Sequence, residues 1–295
     1  MSKMKPIFLF VLLAFLLTWL FWWITWFQIE WLGDISGRWW KYLAMWMPAF
    51  SYWIVKQCFP EDAALGASFS LNIKKKWKYY LAALWGPAVL SVLGMGLYFL
   101  LFQDQFSLDF ETLQDVIGQT GKKATADSIR AVIFAQLFAS VTFAPLLNSL
   151  FALGEEIGWR GYLYTSLRSH FSPLQTHCLV ALIWSLWHLP INLQGYNFGV
   201  NYWGYPWLGV VAMFIFCFSL QILLSWVMEK TGSLWAPAVL HGAVNAIAAV
   251  GLLFRVSSGK AMTLQILGPT PAGLIAGLPL LGVALFIFYR EWVRK

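Results

Sequence analysis

GEEIGWRGYLYTSLR, Gly154 to Arg168, sets two adjacent glutamates and an arginine directly after an apolar run, and its reading decides the fold. If the chain leaves the apolar phase near Leu153, these charges are surface groups. If the helix runs on to Arg168, they are buried and need a reason to be there. The stretch contains no proline, and Gly158 and Gly161 are tolerable in a packed membrane helix. The long helix is therefore the expectation, from about 135 to 168, with a kink at Pro145.

The rest of the chain supports a membrane setting. Of its 295 residues, 60% are hydrophobic, 18% aromatic and only 11% charged. Repeated apolar runs of about 20 residues mark an integral membrane protein. Eight spans are expected, roughly 6–28, 39–58, 79–102, 130–153, 173–190, 207–228, 233–254 and 268–289. The fold class is thus an all-α, polytopic membrane helix bundle. The first run is too long for a signal peptide and lacks a small-residue cleavage site, so it reads as a span. Residues 1–128 divide off as N-terminal helices with an outer loop, 129–255 as the core that carries the buried polar groups, and 256–295 as a last helix and tail.

Charge sets the orientation. With the N-terminus in the cytoplasm and eight alternating spans, Lys3, Lys5, Lys56, Lys74, Lys75, Lys76, Lys78, Arg160, Arg168, Lys230, Arg290, Arg294 and Lys295 lie inside, 13 of the 20 basic residues. The long outer loop, QDQFSLDFETLQDVIGQTGKKATADS, carries five of the 13 acidic residues. This bias puts both termini in the cytoplasm, across what we take as the plasma membrane. The +7 net charge is a topology signal. A nucleic-acid partner would need a contiguous basic face, and KKKWK at 74–78 reads instead as an anchor on anionic membrane lipid. Cys58, Cys178 and Cys217 show no metal-ligand spacing and read as single buried thiols.

Few ionisable or amide groups remain within the spans: Glu155, Glu156 and Arg160; His188 in ALIWSLWHLP; His241 and Asn245 in LHGAVNA. Each has an ordinary explanation when taken alone. Glu156 and Arg160, four apart, can be a helix salt bridge, and His188 or the His241–Asn245 pair can be interhelical glue. Together they change the argument. On the long-helix reading, Glu155 lies about 20 Å above Arg168, His188 about 22 Å above Pro173 and His241 about 16 Å beyond Lys230. Three helices then converge on one polar pocket. A carboxylate can take a proton from water, imidazoles can orient that water or hold a metal, and a carboxamide can bind a developing oxyanion. With a divalent metal such as zinc, Glu155, His188 and His241 would give a His₂Glu site with an open position for water. Adjacent helical positions point about 100° apart, so Glu155 and Glu156 cannot share one role. Arg160 neutralises Glu156, which leaves Glu155 as the base.

Glu-Glu-x-x-x-Arg, an aromatic-x-x-x-His helix and His-x-x-x-Asn, in that order on separate spans, resemble the CPBP intramembrane proteases, which include the type II CAAX prenyl endopeptidases and bacteriocin-processing or self-immunity proteins. The matching residues are Glu155, Glu156, Arg160, Trp184, His188, His241 and Asn245. The resemblance implies that Glu155 is the general base, with His188, His241 and Asn245 positioning water or stabilising the oxyanion. Glu156 and Arg160 support the site or hold substrate. The family's second motif usually begins with Phe; Trp184 stands there, and a packing role is expected to survive. Both a zinc site and a metal-free glutamate mechanism are compatible with this set. The implied partner is a peptide or protein substrate, lipidated or not. Two non-enzymatic alternatives stand beside it, a proton-coupled transporter and a scaffold for self-immunity to a peptide toxin.

Overall fold

In the computed structural model, residues 4–119, 125–257 and 259–294 are described. Lys3, Lys122, Lys123 and Lys295, used above for topology, lie outside them. The described residues are helical, with two isolated β-bridges, Ser68–Ser233 and Phe106–Arg255, and no named strand. In chain order the α-helices are α1 Lys5–Ala44, α2 Met47–Cys58, α3 Ile73–Leu101, α4 Glu111–Gln119, α5 Ala126–Val141, α6 Ala144–Glu156, α7 Thr165–Arg168, α8 Pro173–Trp187, α9 Leu189–Leu193, α10 Trp207–Thr231, α11 Trp235–Ile247, α12 Gly259–Thr263 and α13 Leu278–Phe288.

Four of these segments are long and apolar enough to cross a membrane: Lys5–Trp23, Ile73–Leu101, Trp207–Thr231 and Trp235–Phe254. The bent pair Ala126–Val141 and Ala144–Arg168 makes a fifth if it counts as one span. The protein is an integral membrane helix bundle. Eight full-length spans are not what the helices draw. α2 and α8 hold 12 and 15 residues, and α13 holds 11 before a π-helical turn, Tyr289–Val293, carries it five further, about 18–24 Å of rise against a hydrocarbon core of about 30 Å. The loop expected at 29–38 is instead a continuation of α1. Gly33 and Gly37 are weak breakers and the segment has no proline, so helix persists until the Met45–Trp46 turn, after which Pro48 opens α2.

The opening stretch stays helical through Arg168 as expected, but the helix expected from about 135 is broken at Thr142–Phe143 rather than only kinked at Pro145. α5 and α6 meet at 53° across Thr142–Phe143, just ahead of Pro145 at the start of α6. From Ala144 the helix then runs unbroken through Arg168, with Ile157–Tyr164 wound as a π-helix. Two glycines allow this helix to seat. A Cβ on Gly158 would lie 2.5 Å from Pro48 Cβ of α2, and one on Gly242 of α11 would lie 2.5 Å from the Pro145 carbonyl oxygen. The second approach presses α11 against α6 and so sets His241 beside the glutamates.

One end of the bundle gathers the start of α3, the ends of α7, α10 and α13, and the α2–α3 connector. The connector is stitched there by Gly66 N–H to Gly161 O at 2.9 Å, Ser68 N–H to Gly232 O at 3.1 Å and Asn72 Nδ2 to Thr231 O at 3.1 Å. This end carries Lys74, Lys75, Lys76, Lys78, Arg168, Lys230 and Arg290. At the other end, the expected outer loop contains α4 and is tied to the chain after α11. Ser107 N–H donates to Phe254 O at 2.9 Å, Val256 N–H to Gln105 O at 3.0 Å and Ser257 N–H to Glu111 at 2.7 Å.

Candidate active site

Glu155 and Glu156 are the last residues of α6, and Arg160 follows within the π-helical turn. They are 2%, 0% and 0% exposed. A π-helical segment is rare and frequently marks a functional site; here Thr165 Oγ1 donates to the Arg160 carbonyl at 3.2 Å and steadies the widened turn.

The two carboxylates have different partners. Glu156 Oε1 receives Arg160 Nη1 at 3.0 Å and His241 Nδ1 at 2.7 Å. Glu155 Oε2 receives two indole N–H groups, Trp184 Nε1 at 2.8 Å and Trp159 Nε1 at 3.2 Å. Each acceptor is shared by two donors, and all of these side chains are buried. The division follows from helix geometry. Arg160 lies one turn from Glu156 and Trp159 one turn from Glu155, so each acid takes the partner on its own face.

Both imidazoles have a fixed tautomer. His188 Nδ1 lies 2.8 Å from the Trp184 carbonyl oxygen, which can only accept, so Nδ1 carries hydrogen. His241 Nδ1 faces the arginine-paired Glu156 carboxylate, which also accepts. In the neutral ring Nε2 is then the lone-pair nitrogen, and no hydrogen bond among the described residues engages it in either histidine. The same holds for Glu155 Oε1.

Trp184 sits at the centre of the group. Its ring lies 4.0 Å beneath the Arg160 guanidinium, 5.5 Å from the His241 ring and 5.8 Å from His188. Its indole hydrogen is on Glu155. The sequence assigned it packing alone, because aromatic type was the visible signal. The hydrogen bond it makes is one that phenylalanine cannot supply. Trp159 was missed for the same reason. Trp187 stands edge-on to His188 at 4.8 Å and to Trp159 at 5.7 Å, closing a tryptophan wall around the imidazole.

Asn245 lies one turn beyond His241 on α11 and is exposed. It makes no hydrogen bond to the rest of the group among the described residues. His188 is the single residue between two helices, the C-cap of α8, which ends at Trp187, and the N-cap of α9, which starts at Leu189. His177, left aside in the sequence reading, is fully buried at the foot of α8 between Tyr164, Phe288 and Trp292.

A divalent metal does not fit this arrangement well. The two imidazoles follow the habit of metal ligands, each with Nδ1 on an oxygen and Nε2 presented. Yet among the described residues no three His, Cys, Asp or Glu side chains are placed to hold one ion, and Glu155 spends one oxygen on two indoles.

Residues 128–247 match the family of type II CAAX prenyl endopeptidases, Rce1-like. That segment holds every residue of the group just described. It is similar to the prenyl endopeptidases of this type. A relative, CAAX prenyl protease 2 of Methanococcus maripaludis, is 29% identical over 114 residues, covering 38% of this chain and 41% of that protein. The chain thus aligns with less than half of that relative's length.

Proposed function

We propose that the protein is an intramembrane endopeptidase that hydrolyses a peptide bond of a membrane-associated, lipidated peptide or protein. The observation that carries this reading is the Glu155 carboxylate held on two buried indoles beside two imidazoles whose Nε2 atoms are both bare. A carboxylate can take a proton from water and an imidazole acceptor can hold its other hydrogen, which is what a water nucleophile needs. The names of the family and of the relative, both prenyl proteases, support lipidated substrates.

In this mechanism a water donates one hydrogen to Glu155 Oε1 and the other to an imidazole Nε2. Its oxygen attacks the scissile carbonyl carbon as Glu155 takes the proton. The carbonyl oxygen becomes the oxyanion, and Asn245 Nδ2, at the open side of α11, donates to it. When the C–N bond breaks, the amine leaves with the proton from Glu155. Glu156, paired with Arg160 and His241, fixes the tautomer and tilt of the His241 ring. No step passes through a metal. The basic end faces the cytoplasm, following the positive-inside bias.

The test is cleavage by purified protein in liposomes of a prenylated CAAX-type peptide and its unmodified counterpart. Wild type is expected to cut the lipidated peptide, and Glu155→Gln to cut neither while keeping its unfolding temperature. Activity should survive dialysis against a chelator. Undiminished cleavage by Glu155→Gln would end the assignment, and loss on chelation restored by zinc would end the metal-free mechanism.

A further inference from the structure

A second site lies at the basic end, away from the carboxylates. An open groove of about 310 Å³ runs between the start of α3, the last turn of α10 and the end of α13. One wall is aromatic and apolar. Tyr79 and Trp226 meet edge to face at 5.5 Å, and Phe286 and Ile287 continue the surface. The other wall is charged. Lys230 Nζ sits 2.8 Å from Glu291, leaving that pair neutral. Arg290 lies over the Phe286 ring at 5.7 Å, and Lys76 reaches over Tyr79 at 5.9 Å.

We propose that this groove binds one anionic phospholipid, its headgroup phosphate on Lys230, Arg290 and Lys76 and an acyl chain along Trp226 and Phe286. Two observations select this occupant. Two lining cations, Lys230 and Arg290, against the one carboxylate of Glu291, with Lys76 over the Tyr79 ring beside them, leave the groove net positive, which favours a lipid carrying net negative charge over a zwitterionic one. A basic pocket between membrane helices is a recognised seat for such headgroups. Second, the apolar wall does not close. It continues onto exposed membrane-type surface along α13, with Phe286 59% and, one turn earlier, Val283 36% exposed. A soluble anion would leave that wall uncovered, whereas an acyl chain covers it. Cations lying on aromatic faces at a helix end also have the geometry of side chains that keep apolar stems low and charged heads at the headgroup level.

The site joins helices that otherwise meet at this end through few polar contacts. Lys230–Glu291 bridges α10 to α13, and the neighbouring Glu229 accepts from Tyr164 Oη at 2.6 Å. Tyr164 closes the π-helical segment that carries Arg160. A lipid seated here braces the foot of the catalytic helix, and this consequence alone depends on the proteolytic reading.

The experiment uses the full chain purified in a neutral detergent. Thermal unfolding and native mass spectrometry are recorded with phosphatidylglycerol, phosphatidylcholine or glycerol phosphate added. Phosphatidylglycerol is expected to raise the unfolding midpoint by several degrees and to leave one retained lipid per chain; phosphatidylcholine should do neither. Arg290→Gln, and separately Ile287→Glu, should cut the shift by more than half. Lys74→Gln, in the KKKWK run but not lining the groove, should preserve it. An equal shift in Arg290→Gln and Ile287→Glu would overturn the site. So would an equal shift with glycerol phosphate, which would reveal a soluble-anion site, or with phosphatidylcholine.

Discussion

At the scale of single residues, the division of labour between Glu155 and Glu156 rests on which hydrogen atoms each receives. Glu156 is bound into an ion pair with Arg160, accepts a further hydrogen bond from His241 Nδ1 and has no exposure. Removing one member of such a pair strands a buried charge, at a cost of about 3–5 kcal/mol. Glu156→Gln and Arg160→Ala should therefore lose folded yield and activity together, read by size-exclusion recovery and thermal unfolding. A variant that recovers at wild-type yield would show the pair to be dispensable. Trp184 makes a sharper test. Trp184→Phe keeps a ring under Arg160 but removes the hydrogen bond to Glu155. A hydrogen bond to a charged group contributes about 1.5–3 kcal/mol, so kcat should fall about 10–100-fold with KM little changed. If Trp184 only packs, the phenylalanine variant will keep its kcat. The pairing of Glu156 with Arg160 was legible from their four-residue spacing. The indole donors were not, because sequence shows that a residue is aromatic and not where its N–H points.

At the scale of helices, the site depends on how closely α11 approaches α6. Gly242 is a point of close approach, and a Cβ there meets the Pro145 carbonyl oxygen at 2.5 Å and Ser149 N at 2.6 Å. Backbone atoms cannot swing aside as a side chain can, so Gly242→Ala must push the helices apart. Overpacking of this kind costs about 1–3 kcal/mol. The variant is expected to unfold at lower temperature and to lose turnover, because His241 retreats from Glu156. Unchanged kcat in a destabilised Gly242→Ala protein would separate the helix contact from the chemistry. The unbroken course from Ala144 to Arg168 could be argued from the missing proline. The π-helical winding inside it could not, since IGWRGYLY carries no local signal for it. The same blindness applies to α8. The expected span ran three residues past its end at Trp187, which places His188 at a helix terminus.

At the scale of the whole molecule, orientation is the testable property. Cys58 is exposed at the end of α2, two residues after Lys56, whereas Cys178 and Cys217 are half-buried and buried. A membrane-impermeant maleimide should label Cys58 in inside-out vesicles and not in intact cells. Labelling from the outside would reverse the orientation and place the basic groove against the outer leaflet.

Composition and hydropathy alone determined that this is an all-helical membrane protein, because apolar runs of span length leave the backbone no other way to satisfy its hydrogen bonds. The order of Glu-Glu-x-x-x-Arg, aromatic-x-x-x-His and His-x-x-x-Asn was enough to single out the candidate site, because ionisable groups are costly in an apolar interior and stand out there. Only the tertiary structure showed which apolar segments form helices of span length, since hydropathy registers an apolar segment and not the length of helix it forms. Only the tertiary structure decided which carboxylate oxygen meets which donor. Those pairings join residues 29 and 85 positions apart, Trp184 to Glu155 and His241 to Glu156, and they exist because helix packing at Gly158 and Gly242 brings distant side chains into hydrogen-bonding range.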